Sequence, residues 1–185
     1  MTLCAERPDW RGLMVDLSGR ALAVACQNAV RHDVRQRLQP VRADFTRPLL
    51  RPKSLDLLVS NPPYVGKTEY EGLSAEVRDF EPVTALVPNF VDSDKIPSHD
   101  HHHDHGGSHA PSTPPDKPEG LEHLIAVAQE AFVALKPGGL LLMEHGYAQG
   151  AAIKVLLESH KWENVLILKD LSGHDRVASA RKPAA

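Results

Sequence analysis

Leu55-Asp56-Leu57-Leu58-Val59-Ser60-Asn61-Pro62-Pro63-Tyr64 is the stretch on which the reading of this chain turns. The apolar run from Leu55 to Val59 predicts a buried strand ending at Ser60. Asn61 to Tyr64 then leaves the sheet as a stiff, extended turn. A proline has no N–H to donate and holds φ at about −65°. It also pushes the residue before it out of the helical region. Asn61 presents an amide, and the carbonyls of Asn61 and Pro62 have no predicted ladder partner. Tyr64 adds a flat ring beside them. Rigid acceptors next to a stacking surface suit a planar NH2 group. Pro-Pro alone would be no more than a strand-ending turn. Asn-Pro-Pro-Tyr directly after an apolar strand points to a binding site.

Working outward, the 185 residues are enough for one domain with a real core. Hydrophobic residues make up 42% and aromatic residues 5%, so the core is mostly Leu, Val and Ala. A net charge of −3 offers no electrostatic case for tight nucleic-acid binding. Cys4 and Cys26 form neither a metal-ligand spacing nor a disulfide framework, which suits a reducing, intracellular compartment. No apolar run approaches the ~20 residues of a membrane span. The N-terminus shows no signal or transit segment. A soluble protein and a monomer are expected, with cytoplasmic and mitochondrial settings both allowed.

Before the central stretch, Met1 to Arg7 reads as the last turns of a helix, ended by Pro8-Asp9. Gly12 to Asp16 is a short strand with an acid at its carboxyl end. Ser18 caps a helix over 19–31 whose apolar face is Leu22, Ala25, Cys26, Ala29 and Val30. Leu38 to Ala43 is another strand, closed by Asp44-Phe45. Arg31, Arg35, Arg37, Arg42, Arg47, Arg51 and Lys53 could dock an acidic partner. A solvated helix end and loop is the simpler reading, because only Phe45 interleaves as an aromatic.

Beyond Tyr64, residues 66–76 read as a lid-like loop with a short helix near Leu73 to Arg78, and Thr84 to Val87 returns to the core. Residues 88–118 hold His99, His101, His102, His103, His105 and His109 among Gly, Ser, Pro and Asp. That composition predicts a disordered insertion at about 90–118 within one domain. Its spacing defines no metal site, and none is expected elsewhere. From Glu119 a helix runs with Leu121, Leu124, Ile125, Ala128, Phe132 and Leu135 inward, stopped by Lys136-Pro137-Gly138-Gly139. Leu140 to Glu144 reads as a fully buried strand and Ala148 to His160 as a helix. Asn164 to Lys169 and Arg176 to Ala180 are two more strands. Alternating strands and helices predict an α/β fold with a mainly parallel sheet, and the final pair predicts an antiparallel edge.

Taken together these pieces resemble the HemK/PrmC-type class I methyltransferases, which modify a glutamine side-chain amide in peptide chain release factors. The resemblance covers nearly the whole chain outside the His-rich insertion. It rests on Val15-Asp16, Ala21-Leu22, Asn28-Ala29, Asp44-Phe45 and Val59-Ser60-Asn61-Pro62-Pro63-Tyr64-Val65. It continues through Phe80-Glu81-Pro82, Ala85-Leu86-Val87, Lys136-Pro137-Gly138-Gly139, Glu144-His145-Gly146 and Gly173-His174-Asp175-Arg176-Val177. Asn-Pro-Pro-Tyr alone is shared with enzymes that methylate exocyclic amines of nucleic-acid bases. Phe-Glu-Pro and Glu-His-Gly point to the glutamine enzymes, so a nucleic-acid methyltransferase is the alternative, with nucleic acid not the favoured substrate.

The resemblance implies a Rossmann-like sheet, S-adenosylmethionine as cofactor and a release factor as protein partner. Asp16 would accept from the ribose hydroxyls, and Asp44 with Phe45 would hold the adenine. Asn61 and the Pro62 carbonyl would take the two N–H groups of the glutamine amide, with Pro63 stiffening the turn and Tyr64 packing on the amide plane. Glu81 would hold the Asn61 loop by hydrogen bonding. The chain departs from the family at its start. Residues 1–60 contain no Gly-x-Gly, and the first, central strand with its glycine-rich loop is missing. That strand belongs between the one ending at Asp16 and the one ending at Ser60. A fragment, an alternative start or a truncated gene reading is expected. Such a chain is expected to bind S-adenosylmethionine weakly or not at all, and a catalytically inactive truncated form is a further alternative to the methyltransferase reading.

Overall fold

The computed structural model describes residues 1–88 and 119–184. The expected insertion at about 90–118 lies outside the described residues.

Helix α1 (Thr2–Glu6) leads to strand β1 (Gly12–Asp16), helix α2 (Gly19–Arg31), strand β2 (Leu38–Arg42) and strand β3 (Leu55–Ser60). Three short helices come next: α3 (Lys67–Glu71), α4 (Ala75–Phe80) and α5 (Val83–Leu86). The chain closes with α6 (Glu122–Ala134), β4 (Leu135–Glu144), α7 (Gly150–Ser159), β5 (Glu163–Lys169) and β6 (Asp175–Arg181). Ser18 caps α2 as its sequence suggests, its hydroxyl accepting from Ala21 N at 3.2 Å.

The strands form two sheets. β1 and β2 pair in parallel, while the other four run in the order β3-β4-β6-β5. β3 and β4 are parallel, and β6 is antiparallel to both its neighbours. Antiparallel pairing therefore closes that side, as two strands without an intervening helix require. Among the described residues β1 and β3 each have one strand neighbour and do not pair with each other. This is where the sequence predicts a central strand.

Helix α6 lies over β3 and β4, and α7 over β5 and β6. Leu124, Val127, Ala131, Ile153 and Leu157 bury there against Leu141, Met143, Ala178 and Ala180. Each large aliphatic group in that core contributes about 1.5–3 kcal/mol. A second, smaller core joins Cys4, Ala29, Val34 and Leu38, with Met14 packed on it. Two links tie the halves together. Phe45 packs on the large core, and the Glu130 carboxylate accepts from Leu49 N (3.0 Å) and Leu50 N (2.7 Å).

Several expectations change. Among the described residues β3 is an edge strand rather than a buried one, and Val59, on the sheet face opposite the one that Leu58 turns to the core, is 58% exposed. β4 is not buried throughout: Leu141 and Met143 face the helices, while Leu140 and Leu142 are half-buried on the other face. Val30 points to solvent rather than into the α2 core face. Lys136 to Gly139 does end α6, but it already belongs to β4. Leu135 pairs with Leu55, then the register shifts before Leu57 meets Leu140. Gly138, at φ 76°, makes the left-handed turn that this bulge needs. Three of the basic residues serve backbone. Arg37 donates to the carbonyls of Cys4 and Arg7 at the end of α1, Arg35 to Leu38 O, and Arg42 to Leu17 O.

Candidate functional site

The corner after β3 is built in layers. Pro62 is buried and Pro63 half-buried, so the turn is seated on the protein. Asn61, at its tip, is exposed, and its amide makes no hydrogen bond among the described residues. Tyr64 is half-buried, and its hydroxyl donates to Glu144 Oε1 at 3.0 Å. Burial, and then the Glu144 carboxylate, push this phenol above its ordinary range, so it stays protonated and able to donate. Val65 N donates to Leu86 O at 2.9 Å, which fixes the exit of the turn on the end of α5.

One buried side chain locks the corner from below. Gln149, only 5% exposed, donates from Nε2 to Tyr64 O (2.9 Å) and to Glu119 O (2.8 Å). Its Oε1 accepts from Gly146 N at 2.9 Å. Three backbone groups from separate segments thus depend on one amide. Gly120 completes the seat: at φ 79°, a Cβ there would lie 2.1 Å from Tyr64 O. Nothing in the sequence marked Gln149, since a glutamine before a helix is ordinary. Its place in Glu144-His145-Gly146-Tyr147-Ala148-Gln149 was the available signal.

Glu81 makes no hydrogen bond to the Asn61 loop among the described residues. Its side chain is exposed and makes no hydrogen bond among the described residues, and only its backbone N–H is engaged, on Val77 O. The phenylalanine before it, Phe80, is also exposed. His145 is fully buried next to Glu144, with Nδ1 2.8 Å from Gly146 O and Nε2 without a partner among the described residues. Arg176 lies nearby, donating to His145 O at 3.4 Å and facing Asp170 Oδ2 at 3.5 Å.

The acids of the other half stand at the carboxyl ends of β1 and β2. Asp16 is exposed, and its Oδ1 accepts from Ser18 N at 2.7 Å, leaving Oδ2 unengaged among the described residues. Asp44 Oδ1 accepts from Thr46 N (2.9 Å) and from the Thr46 hydroxyl (2.6 Å). Those bonds, with Arg47 and His123 nearby, hold its carboxyl below the ordinary range. Phe45 meets the His123 ring edge-on at 5.2 Å between centroids. Burial lowers the His123 pKa, against the pull of Asp44 and Glu122. Asp16, Asp44 and Asn61 therefore all lie at carboxyl ends of parallel strands, where open α/β sheets bind ligands. Among the described residues no cluster of His, Cys, Asp and Glu could hold a metal ion. No described helix is long and apolar enough to cross a membrane.

This arrangement can take a planar amide at Asn61 and hydrogen-bond donors at the two acids. No family profile matches the chain. It is 46% identical over 184 residues to the release factor glutamine methyltransferase of Nitratidesulfovibrio vulgaris, covering 98% of this chain and 53% of that protein. It is 40% identical over 185 residues to the protein of the same name from Cereibacter sphaeroides, covering 100% of this chain and 56% of the relative. Among solved structures, an S-adenosylmethionine-dependent O-methyltransferase from Thermotoga maritima superposes with a TM-score of 0.60 at 9% identity, over 100% of this chain and 55% of that one. That likeness shows the Rossmann-like class I methyltransferase fold. The chain spans about half the length of the curated relatives it matches. By sequence the chain is similar to proteins named release factor glutamine methyltransferase, and by architecture it has the methyltransferase fold.

Proposed function

We propose that the corner after β3 holds the side-chain amide of a glutamine in a peptide chain release factor for methylation by S-adenosylmethionine. The observation that carries this reading is the contrast within one turn. Asn61 is exposed and unpartnered among the described residues, while Tyr64 beside it is fixed by Glu144 and Gln149. An acceptor that the protein does not use, on a base that cannot move, is preorganised for a ligand. The two N–H groups of the substrate amide go to the Asn61 side-chain oxygen and the Pro62 carbonyl, and Tyr64 packs on the amide plane. An amide nitrogen is a weak nucleophile because its lone pair is delocalised. Fixing both N–H groups aims that nitrogen, and positioning of this kind can supply several kcal/mol, within the ~7–11 kcal/mol available from it.

The residues of the other half fit the methyl donor in part. Asp16 keeps one carboxylate oxygen for ribose hydroxyls, and Asp44 with Phe45 forms the edge suited to adenine. When bound, S-adenosylmethionine supplies an electrophilic methyl group. Two unpaired cysteines and the bacterial relatives suit an intracellular setting.

The test is incubation of the chain with labelled S-adenosylmethionine and three acceptors: a release factor, its Gln→Ala variant at the target glutamine, and DNA. Where the chain turns over, label on the release factor alone is expected. Label on DNA alone would replace this reading with base methylation. Asn61→Ala should remove turnover and leave cofactor affinity nearly unchanged; a variant keeping more than about a tenth of the rate, equivalent to ~1.4 kcal/mol, would show that Asn61 does not hold the amide.

A further inference from the structure

We infer that the tip of the β5–β6 hairpin, together with Tyr147 beside it, is the surface on which the release-factor polypeptide around the target glutamine docks, an inference that rests on the corner after β3 holding that glutamine. The sheet brings the two places to one end. β6 is antiparallel to β4 and to β5, so β5 runs in the same direction as β3 and β4. The turn between Lys169 and Asp175 therefore lies at the carboxyl ends of β3 and β4, the end that carries Asn61. In the order β3-β4-β6-β5, with neighbouring strands about 4.8 Å apart, β6 lies about 10 Å from β3 and β5 about 14 Å. A protein interface of standard size covers about 800 Å² per partner, a patch roughly 30 Å across. A polypeptide that delivers a glutamine to Asn61 therefore has the hairpin tip within its footprint.

The tip is built to hold apolar surface out. Asp170 closes it: its N–H donates to His174 O at 2.8 Å, and its Oδ1 accepts from Ser172 N (2.9 Å) and His174 N (3.0 Å). Lys169 Nζ donates to Gly173 O at 3.1 Å across the same turn. Leu171, inside this turn, is fully exposed. Tyr147, three residues after the Glu144 that holds Tyr64, is 60% exposed, and its ring lies 6.0 Å from the His174 ring between centroids. A single exposed leucine is ordinary on a protein surface. A leucine on a fixed turn beside a tyrosine, at the sheet end of the Asn61 corner, loses little freedom on docking.

The charges around the tip say what kind of contact it makes. They are paired within it: Lys169 Nζ lies 2.7 Å from Asp175 Oδ1, and Arg176 Nε lies 3.5 Å from Asp170 Oδ2. Apolar and aromatic surface is what Leu171 and Tyr147 offer a partner. The fitting occupant is therefore an apolar side chain of the release factor near its target glutamine. The surface also continues the corner along the chain. Glu144 bonds Tyr64, Gly146 is held by Gln149, and Tyr147 follows directly.

The probe is a peptide chain release factor, titrated calorimetrically into the full chain and its variants. Leu171→Ser and Tyr147→Ser should each weaken binding by about tenfold or more, since either removes a large apolar group from the interface. Leu171→Met keeps the apolar volume and should bind within about twofold of the unchanged chain. Val155→Ser, at an exposed position of α7, controls for lost apolar surface elsewhere and should leave affinity unchanged. Denaturant midpoints should coincide across the set, because every site is on the surface. Binding by the unchanged chain with no loss in Leu171→Ser and Tyr147→Ser, or an equal loss in Val155→Ser, would overturn the docking surface and leave the Asn61 corner standing. No binding of release factor to the unchanged chain would overturn the reading of that corner, and the docking surface with it. Self-association of the chain that Leu171→Ser abolishes would assign the tip to a second copy and overturn the inference.

Discussion

The turn after β3 and the turn after β1 occupy the same kind of place, the carboxyl end of a parallel strand, and are held in opposite ways. Tyr64 is clamped by residues from β4 and from the start of α7, and it rests on the large core. Asp16 is clamped by nothing beyond its own turn, where its carboxylate caps Ser18 N. Its strand belongs to a two-stranded sheet on a core of four buried residues. A two-stranded sheet is marginal alone and borrows its order from what it packs on. The corner after β3 is therefore organised without ligand, and the acids are organised only locally.

The largest way to break this contrast is at Gln149. Gln149→Leu would remove the hydrogen bonds that Gln149 makes to Tyr64 O at a part-buried site and to Gly146 N at a buried one. A loss of about 3 kcal/mol in chemical denaturation is expected, since each stranded group costs ~1–3 kcal/mol. Glu81→Ala, at the position read from sequence as the loop support, should change stability by less than about 0.5 kcal/mol. Equal effects would mean that the clamp is not where the geometry puts it. Next in size is a core truncation in each half. Leu141→Ala should cost about 3 kcal/mol globally. Val34→Ala should cost less, and should speed amide exchange chiefly in β1 and β2.

How far the sequence could be read divides along the same line. Strand and helix positions are legible because their periodicity is local: the Ser18 cap, the β3 stop at Ser60 and the antiparallel β5–β6 pair all lie where the residues predict. Exposure is not, because it depends on neighbours. Leu55 to Val59 reads as a buried strand, and its composition suits one, yet burial of Val59 needs a layer packed on the sheet face away from α6. At the site, Asn61 to Tyr64 announces itself through two prolines. Its support does not: Glu81 and Gln149 are both ordinary polar residues, and nothing local separates them. Only the tertiary path that brings α7 under Tyr64 distinguishes them.

Smaller effects sharpen the contrast. Tyr64→Phe removes the bond to Glu144 and should cost about 1 kcal/mol, measured by denaturant midpoint, with the ring still seated. The smallest is a pH effect at the edge of the other half. The folded pKa of His123 lies below its ordinary value, so its contribution is present above about pH 6.5 and is lost as pH falls through the folded value. Asp44 is also lowered, but its ordinary value is 3.8, so its contribution is lost only below that. Between about pH 7 and pH 5, His123→Leu should therefore flatten the fall in stability, and Asp44→Asn should leave it in place.

The most direct measurement is residue-resolved amide exchange on the free chain. Val65 N, bonded to Leu86 O, and Gly146 N, bonded to Gln149 Oε1, should exchange about as slowly as the amides of Leu141 and Met143 in β4. The amides of β1 should exchange at least ~100-fold faster, through local opening of the small sheet. Equal protection in β1 and at Val65, or fast exchange at Val65 and Gly146, would contradict a preorganised substrate corner beside a locally held acid pair.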